Sequence, residues 1–234
     1  MDNIKIKKQD LLFTGGCVLV LLPFFLSKDV YNFYKSFNAA HPFIASAIKF
    51  ALLSTAGERI GLRIRKGFYN ERGFGIIPRA IVWAALGMAI KAAFIIFSEG
   101  VPRILADVWF GPKAVLEYYA TRLSFIKIFT AFSISLAMNT IFAPVFMTLH
   151  KITDTHILQT GGTLRGFFTP IPFGKIISSM DWQRQWDFVF KKTIPLFWIP
   201  AHTITFLLPP DWQVLFAAAL GVALGVLLAL ASRK

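Results

Sequence analysis

The chain has 234 residues, of which 56% are hydrophobic and only 16% are charged, and its mean hydropathy is +0.60. Soluble domains carry about 25% charged residues, so this composition excludes a soluble globule, and it also excludes intrinsic disorder, which needs a polar chain. The net charge is +13, but the basic residues lie mostly between apolar runs, where they indicate membrane topology rather than nucleic-acid binding. We therefore predict an all-α integral membrane protein with no nucleic-acid partner.

The apolar residues are concentrated in stretches that predict a compact bundle of about six transmembrane helices. In chain order the stretches are Leu11–Leu26, Pro42–Gly57, Ile76–Phe97, Leu123–Leu149, about Trp186–Leu208, and Trp212–Ala231. A membrane helix needs about 20 residues, within a range of about 17–25. The fifth stretch reaches this length only with Lys191 and Lys192, whose long side chains can extend to the membrane surface.

The first stretch has two interpretations, because basic residues precede it. A signal peptide would be cleaved after small residues, and none follows Leu26 at the required spacing. We therefore favour a retained first helix. The predicted division is residues 1–40, a basic segment and first helix, and residues 41–234, the helical membrane bundle.

Positive charge gives the bundle an orientation. If the N-terminus lies inside, the inner segments hold 16 Lys and Arg and the outer segments hold 5, which is the bias expected for cytoplasmic loops. We predict that both termini lie on the inner (cytoplasmic) side of a bacterial inner membrane, or of an organelle inner membrane in a eukaryote. The segment 150–193 mixes Phe, Trp, Pro and Arg, which suits the membrane interface.

Two predicted helices carry stripes of small residues, which allow close approach of helix backbones in lipid. In the last helix the residues recur every fourth position: Ala217, Gly221, Gly225 and Ala229. We favour packing within the chain over the alternative, a homo-oligomer formed through Gly221 and Gly225. In the fourth helix small and polar residues share one face, which suits either tight helix packing or a solvated lumen: Lys127, Ala131, Ser135, Asn139 and Ala143.

Polar residues inside the predicted spans are candidates for the lining of a solute pathway, because intramembrane charge is costly and usually functional. The candidate pore-lining residues are Lys49, Lys91, Asn139, His202 and Thr205. Lys49 lies near the middle of a short span, so we expect it to face the bundle beside at least one of Asn139, His202 and Thr205. A cationic interior would favour anionic solutes.

Catalytic and metal-binding patterns are scarce in the sequence. It contains no GxSxG, HExxH or phosphate-loop motif and no paired intramembrane carboxylates. His150 and Asp154 share a helical face, but a metal site normally needs three or four ligands, so we favour an interfacial cap. We expect no enzymatic activity, no cofactor and no metal. Glu58 and Glu99, near span ends, are expected to pair with nearby arginines.

Two motifs resemble the Mpv-seventeen and peroxisomal-membrane-protein-twenty-two family. The C-terminal one has a Trp, a Phe eight residues later and a Pro four further on, matched by Trp198, Phe206 and Pro210. The polar positions of that family motif fall on His202 and Thr205. The N-terminal motif has His-Pro opening a helix and Gly-Asp closing it sixteen residues later. Its counterparts are His41, Pro42, Gly57 and Glu58.

The resemblance covers about residues 40–230, with departures. The family's Asp-Gln pair in the middle helices is missing, and Ile199 stands where the family has proline after the signature Trp. The resemblance implies a small multi-span membrane protein that forms a pore for small solutes. We therefore expect a narrow pore or pathway for small, anionic solutes. The alternative is a non-transporting membrane scaffold or lipid-binding protein, with the segment 150–193 engaging anionic lipids.

Overall fold

The computed structural model describes residues 7–231, and every regular element in this range is helical. The helices, in chain order, are α1 (Lys8–Leu26), α2 (Lys28–Ala40), α3 (Pro42–Lys66), α4 (Ile76–Leu105) with a π-helical turn at Ala106–Phe110, α5 (Lys113–Tyr119), α6 (Phe125–Gln159), α7 (Leu164–Phe167), α8 (Phe173–Ser178), α9 (Trp182–Arg184) leading into a π-helix at Gln185–Trp198, α10 (Ile199–Leu207) and α11 (Pro210–Ala231).

Four helices are long and apolar enough to cross a membrane, namely α1, α4 with its π-helical turn, α6 and α11. The helices α2 and α3 meet at a bend of 118° and add a fifth span if they are counted together. The chain is therefore a multi-pass helical membrane protein, as predicted, but six spans are not confirmed. The fifth predicted stretch also forms a helix. It contains two lysines, His202 and several threonines, and it is not among the helices apolar enough to cross a membrane.

The helices extend beyond the apolar stretches that predict them. The helix α3 continues past Gly57 to Lys66 and ends at Gly67, whose φ of 88° is the left-handed cap that glycine favours. The helix α6 continues past Leu149 to Gln159. Backbone hydrogen bonding continues into the polar membrane surface until a cap ends it, so hydropathy underestimates helix length.

The core lies between α3, α4, α6, α10 and α11, and both small-residue stripes face it. All five residues of the α6 stripe are buried. In the α11 stripe, a side chain added at Gly225 would lie 3.5 Å from the Gly57 carbonyl oxygen of α3. The α11 stripe therefore lies against α3 within the chain at Gly225.

Contacts between helix ends define two ends of the bundle. At the Asp10 end, Asp10 of α1 pairs with Arg63 near the end of α3, and Gly75 before α4 lies against Gly162 after α6. At the Lys127 end, Lys127 near the start of α6 donates to the Ala120 carbonyl oxygen. The turn at residues 208–209, between α10 and α11, also lies at the Lys127 end.

Candidate functional site

A central cavity of about 290 Å³ lies between α3, α4, α6, α10 and α11. Its walls are mostly apolar side chains such as Phe50, Phe94 and Met138. Polar groups enter it at two levels, with Glu58 and His150 towards the Asp10 end and Asn139 and His202 nearer the middle.

The polar level towards the Asp10 end centres on Glu58. One carboxylate oxygen of Glu58 lies 2.6 Å from the Arg79 Nη1 atom, and the other accepts a hydrogen bond of 3.0 Å from Trp83 Nε1. The His150 Nε2 atom lies 3.3 Å from this second oxygen. The carboxylate therefore holds together α3, α4 and α6.

Arg79 completes this network, which we call the Glu58–Arg79 cluster and which comprises Glu58, Arg79, Trp83, His150 and Asp154. Arg79 is buried and also pairs with Asp154 of α6. Its Nε atom donates to the Phe74 carbonyl oxygen at 2.7 Å, and its guanidinium lies over the Phe74 ring. One buried guanidinium thus pairs with two carboxylates on two different helices.

The structure confirms the predicted ion pairs of the two glutamates and adds partners for His150 and Asp154. Glu58 and Glu99 pair with arginines, Arg79 and Arg103 respectively, as expected. His150 and Asp154 do share a face of α6, but each is bound to a partner on another helix. Among residues 7–231 no group of three or more His, Cys, Asp or Glu is arranged to hold a metal ion.

The polar level nearer the middle of the bundle is the contact between Asn139 of α6 and His202 of α10. The Asn139 Nδ2 atom donates to the Ser135 carbonyl oxygen at 2.8 Å and lies 3.1 Å from His202 Nδ1. The Trp198 ring stacks on the His202 ring at 5.1 Å, and the Phe94 ring meets it edge-on at 6.0 Å. The predicted polar positions on these helices therefore do meet.

A second cavity, of about 410 Å³, lies at the Asp10 end. It shares Glu58, Trp83 and Gly221 with the central cavity and extends to Arg65 and Lys66 at the end of α3. The Glu58–Arg79 cluster therefore forms the boundary between these two spaces.

A third cavity, of about 560 Å³, lies at the Lys127 end. Two lysines line it, Lys91 and Lys127, together with Glu99. Tyr118 also lines it, and burial raises the pKa of this phenol to about 12, so its hydroxyl stays neutral at physiological pH.

Aromatic rings separate the third cavity from the central one. Phe94 lines both, and its ring centroid lies 4.9 Å from that of Phe206. Both side chains are almost fully buried. This pair therefore lies between the two spaces, and the sequence analysis did not identify Phe94.

The predicted lining residues fall into two groups. Lys91, Asn139 and His202 line the cavities described above, whereas Lys49 and Thr205 line none of these three. Thr205 is fully buried, and its hydroxyl donates to the Ala201 carbonyl oxygen of its own helix at 2.9 Å.

The expected neighbours of Lys49 need correction. Its side chain is buried, but its ammonium donates to the Asn38 side chain of α2 and lies 5.2 Å from the Tyr34 ring centre. Its hydrogen-bond partner is therefore none of Asn139, His202 and Thr205. The physical reason is the bend of α2 over the start of α3, which brings a polar side chain within reach of the lysine.

The residues of the family-like motifs have structural roles at helix starts and contacts. His41 and Pro42 open α3, and Pro210 opens α11, as suits proline in a first helical turn. Gly57 packs against Val222 of α11, and Phe206 packs on Phe94.

Comparison of the chain with protein-family models, curated proteins and solved structures gives no match. The cavities and the buried polar groups that line them are therefore the basis for inferring a function.

Proposed function

We propose that the protein provides a narrow pathway for small solutes through its helical bundle. The observation that carries this proposal is the succession of three cavities from the Asp10 end to the Lys127 end, in which neighbouring cavities share lining residues. Each cavity exposes polar side chains inside a membrane bundle, where such groups are costly unless they have a role.

Two polar groups of the central cavity support a polar occupant. Ser54 Oγ and Trp198 Nε1 are buried and have no hydrogen-bond partner among residues 7–231, and both residues line the central cavity. A buried polar group without a partner costs about 1–3 kcal/mol. Water or a polar solute in the cavity would supply the missing hydrogen bonds.

The charges favour anions at the Lys127 end. Lys91 and Lys127 line the third cavity with one carboxylate, that of Glu99, and pores commonly select ions by the charged side chains at their constrictions. At the other end of the central cavity, Arg79 is already neutralised by Glu58 and Asp154. A small anion would therefore be attracted at the Lys127 end and would meet the Phe94–Phe206 pair.

The proposal includes six membrane crossings, by α1, α3, α4, α6, the helix from Trp182 to Leu207, and α11. Support for the fifth crossing comes from its position, because its last turn reaches the cavity lined by Lys127. Both termini then lie on the inner side of a cytoplasmic or organelle inner membrane, as the positive charges favour. The motif around Trp198 and Phe206 is the basis for proposing kinship with the Mpv-seventeen and peroxisomal-membrane-protein-twenty-two family.

The pathway can be tested by solute flux into liposomes containing the purified protein. Phe94→Ala removes one ring of the Phe94–Phe206 pair, so we expect faster uptake of a small anion such as iodide than with the unaltered protein. The matched control is Phe132→Ala on α6, where the ring is 41% exposed on the outer surface of the bundle. Its flux should equal that of the unaltered protein. Failure of the Phe94→Ala protein to pass any small solute would contradict the pathway.

A second candidate function is that of a lipid-binding scaffold without transport. The observation in its favour is the interfacial segment after α6, where Phe168, Phe173 and Trp182 are exposed beside Arg165 and Lys175. Aromatic and basic residues together suit an anionic membrane surface. Retention of anionic over neutral lipid by this segment, with no flux even for Phe94→Ala, would favour the scaffold.

A further inference from the structure

A groove of about 510 Å³ lies on the bundle surface between α1 and α3. We call it the α1–α3 groove. Its walls are largely apolar and include Phe13, Gly16 and Leu21 of α1 and Leu52 and Leu53 of α3. The solute pathway does not use it, since the groove lies outside the helices that enclose the central cavity.

The length of the groove matches one leaflet of a bilayer. It follows α1 from Gln9 to Leu21, which is about 18 Å at 1.5 Å per residue. Half of the hydrocarbon core of a membrane is about 15 Å thick. The groove therefore extends from the membrane surface at the Asp10 end to about the middle of the bilayer.

The lining of the groove favours one kind of occupant. Beyond the surface end, its walls are almost entirely apolar and include Leu12, Val20 and Ala56. Such walls offer few hydrogen bonds to a polar ligand. A single extended hydrocarbon chain needs none, so it suits the groove.

The surface end of the groove is cationic. Arg59 lines it, its Nε atom donates to the Tyr69 carbonyl oxygen at 3.2 Å, and its guanidinium lies 5.1 Å from the Phe13 ring centre. Among residues 7–231, Arg59 forms no ion pair with a carboxylate, whereas the neighbouring Arg63 pairs with Asp10. The Arg59 guanidinium therefore has no carboxylate partner in this part of the chain, and a guanidinium is well suited to bind an anionic oxygen.

We propose that the α1–α3 groove binds one anionic phospholipid from the leaflet at the Asp10 end. An acyl chain lies along Gly16 towards Leu21, and the headgroup phosphate accepts hydrogen bonds from Arg59. The lipid thereby fills the space between α1 and α3 and attaches α1 to the bundle. This proposal is independent of the solute pathway, because no flux is needed to test it.

Two adjacent glycines allow the apolar part to be tested with a matched control. A side chain added at Gly15 or at Gly16 would meet no atom within 4 Å, so both Gly15→Leu and Gly16→Leu are expected to fold. Only Gly16 lines the groove. Leucine at Gly16 occupies the position of the acyl chain, whereas leucine at Gly15 does not.

The polar part is tested with Arg59→Gln and its control Arg72→Gln, which removes the same charge from an exposed site in the following loop. The proteins are taken from vesicles of equal phosphatidylglycerol and phosphatidylcholine, and retained lipid is measured by native mass spectrometry. Arg59→Gln removes the charge that the phosphate would bind, and Gly16→Leu fills the space of the acyl chain. We therefore expect each to lower phosphatidylglycerol retention about tenfold or more.

Gly15→Leu and Arg72→Gln should retain one phosphatidylglycerol, as the unaltered protein does. Thermal unfolding of all variants identifies any that fail to fold. If Gly16→Leu fails to fold, Arg59→Gln still tests the proposal. Equal retention of the two lipids by the unaltered protein would overturn the proposal. So would retention at the unaltered level in either folded groove variant.

Discussion

Single residues show how this bundle accommodates charge in an apolar core. Arg79 is buried between two carboxylates, a backbone carbonyl and an aromatic ring, which together compensate for the loss of hydration. Lys49 contacts the Asn38 amide and the Tyr34 ring. The sequence could predict that Glu58 pairs with an arginine, since both lie near span ends. It could not predict Asp154 as the second partner, because only the packing of α6 on α4 brings it there.

Replacement of Arg79 measures the contribution of the Glu58–Arg79 cluster. Arg79→Met keeps most of the side-chain volume but leaves Glu58 and Asp154 without their shared cation. Removal of one partner from a buried ion pair costs about 3–5 kcal/mol, so we expect a loss of this size in unfolding experiments in detergent micelles.

The control lies on the same helix. Arg103 pairs with Glu99 at 3.0 Å, but their side chains are 71% and 53% exposed. Exposed pairs contribute about 0–1 kcal/mol, so Arg103→Met should change stability little. Equal losses for Arg79→Met and Arg103→Met would show that the cluster does not hold the three helices together.

At the scale of whole helices, the sequence predicted which segments are apolar but not how they end or bend. The helix α2 was not predicted as a separate element, because its mixed polar composition gives no hydropathy signal. Between Gln185 and Trp198 the helix is π-helical and contains Pro195, and such local rearrangements depend on packing rather than on periodicity. The small-residue stripe of α11 was a more reliable signal, since close packing of backbones requires small residues.

Close contact between α3 and α4 makes Gly87 a critical position. A side chain added there would lie 2.7 Å from Phe50 Cβ and 2.9 Å from the Ser46 carbonyl oxygen. Both obstacles lie close to the α3 backbone and cannot move independently of it. Gly87→Ala should therefore destabilise the protein by about 1–3 kcal/mol, as overpacking does.

Gly100, also in α4, is the control because a side chain there would meet nothing within 4 Å. Gly100→Ala should be neutral or stabilising by up to about 1 kcal/mol, since alanine is the better helix former. Thermal unfolding of both variants distinguishes the effect of the α3–α4 contact from that of the helix propensity of alanine. If Gly87→Ala were as stable as Gly100→Ala, the two helices would have to be further apart than the structure places them.

For the whole molecule, composition alone predicted an all-helical membrane protein, but it could not predict the cavities. The cavities depend on which helices are neighbours, and apolar stretches of similar composition do not encode that order. Asn139 and His202 were predicted as lining residues from their polarity, and they meet because α6 and α10 pack side by side. Phe94 gave no comparable signal, since one phenylalanine among the 25 in the chain is not distinctive.

The proposed six crossings make a prediction about the sides on which the loops lie. Four exposed positions report on this: Asn70, Thr121, Thr169 and Asp211. Single cysteines are introduced at each in a Cys17→Ser background, since Cys17 is the only native cysteine. Labelling of intact cells with a membrane-impermeant maleimide should modify Thr121→Cys and Asp211→Cys from outside, because α4, α6 and the helix from Trp182 to Leu207 each cross the membrane. Asn70→Cys and Thr169→Cys should react only after the membrane is opened, as positive charge inside requires. If Asp211→Cys behaved like Thr169→Cys instead, the helix between them would not cross, and the pathway could not run along it to the cavity beside Lys127.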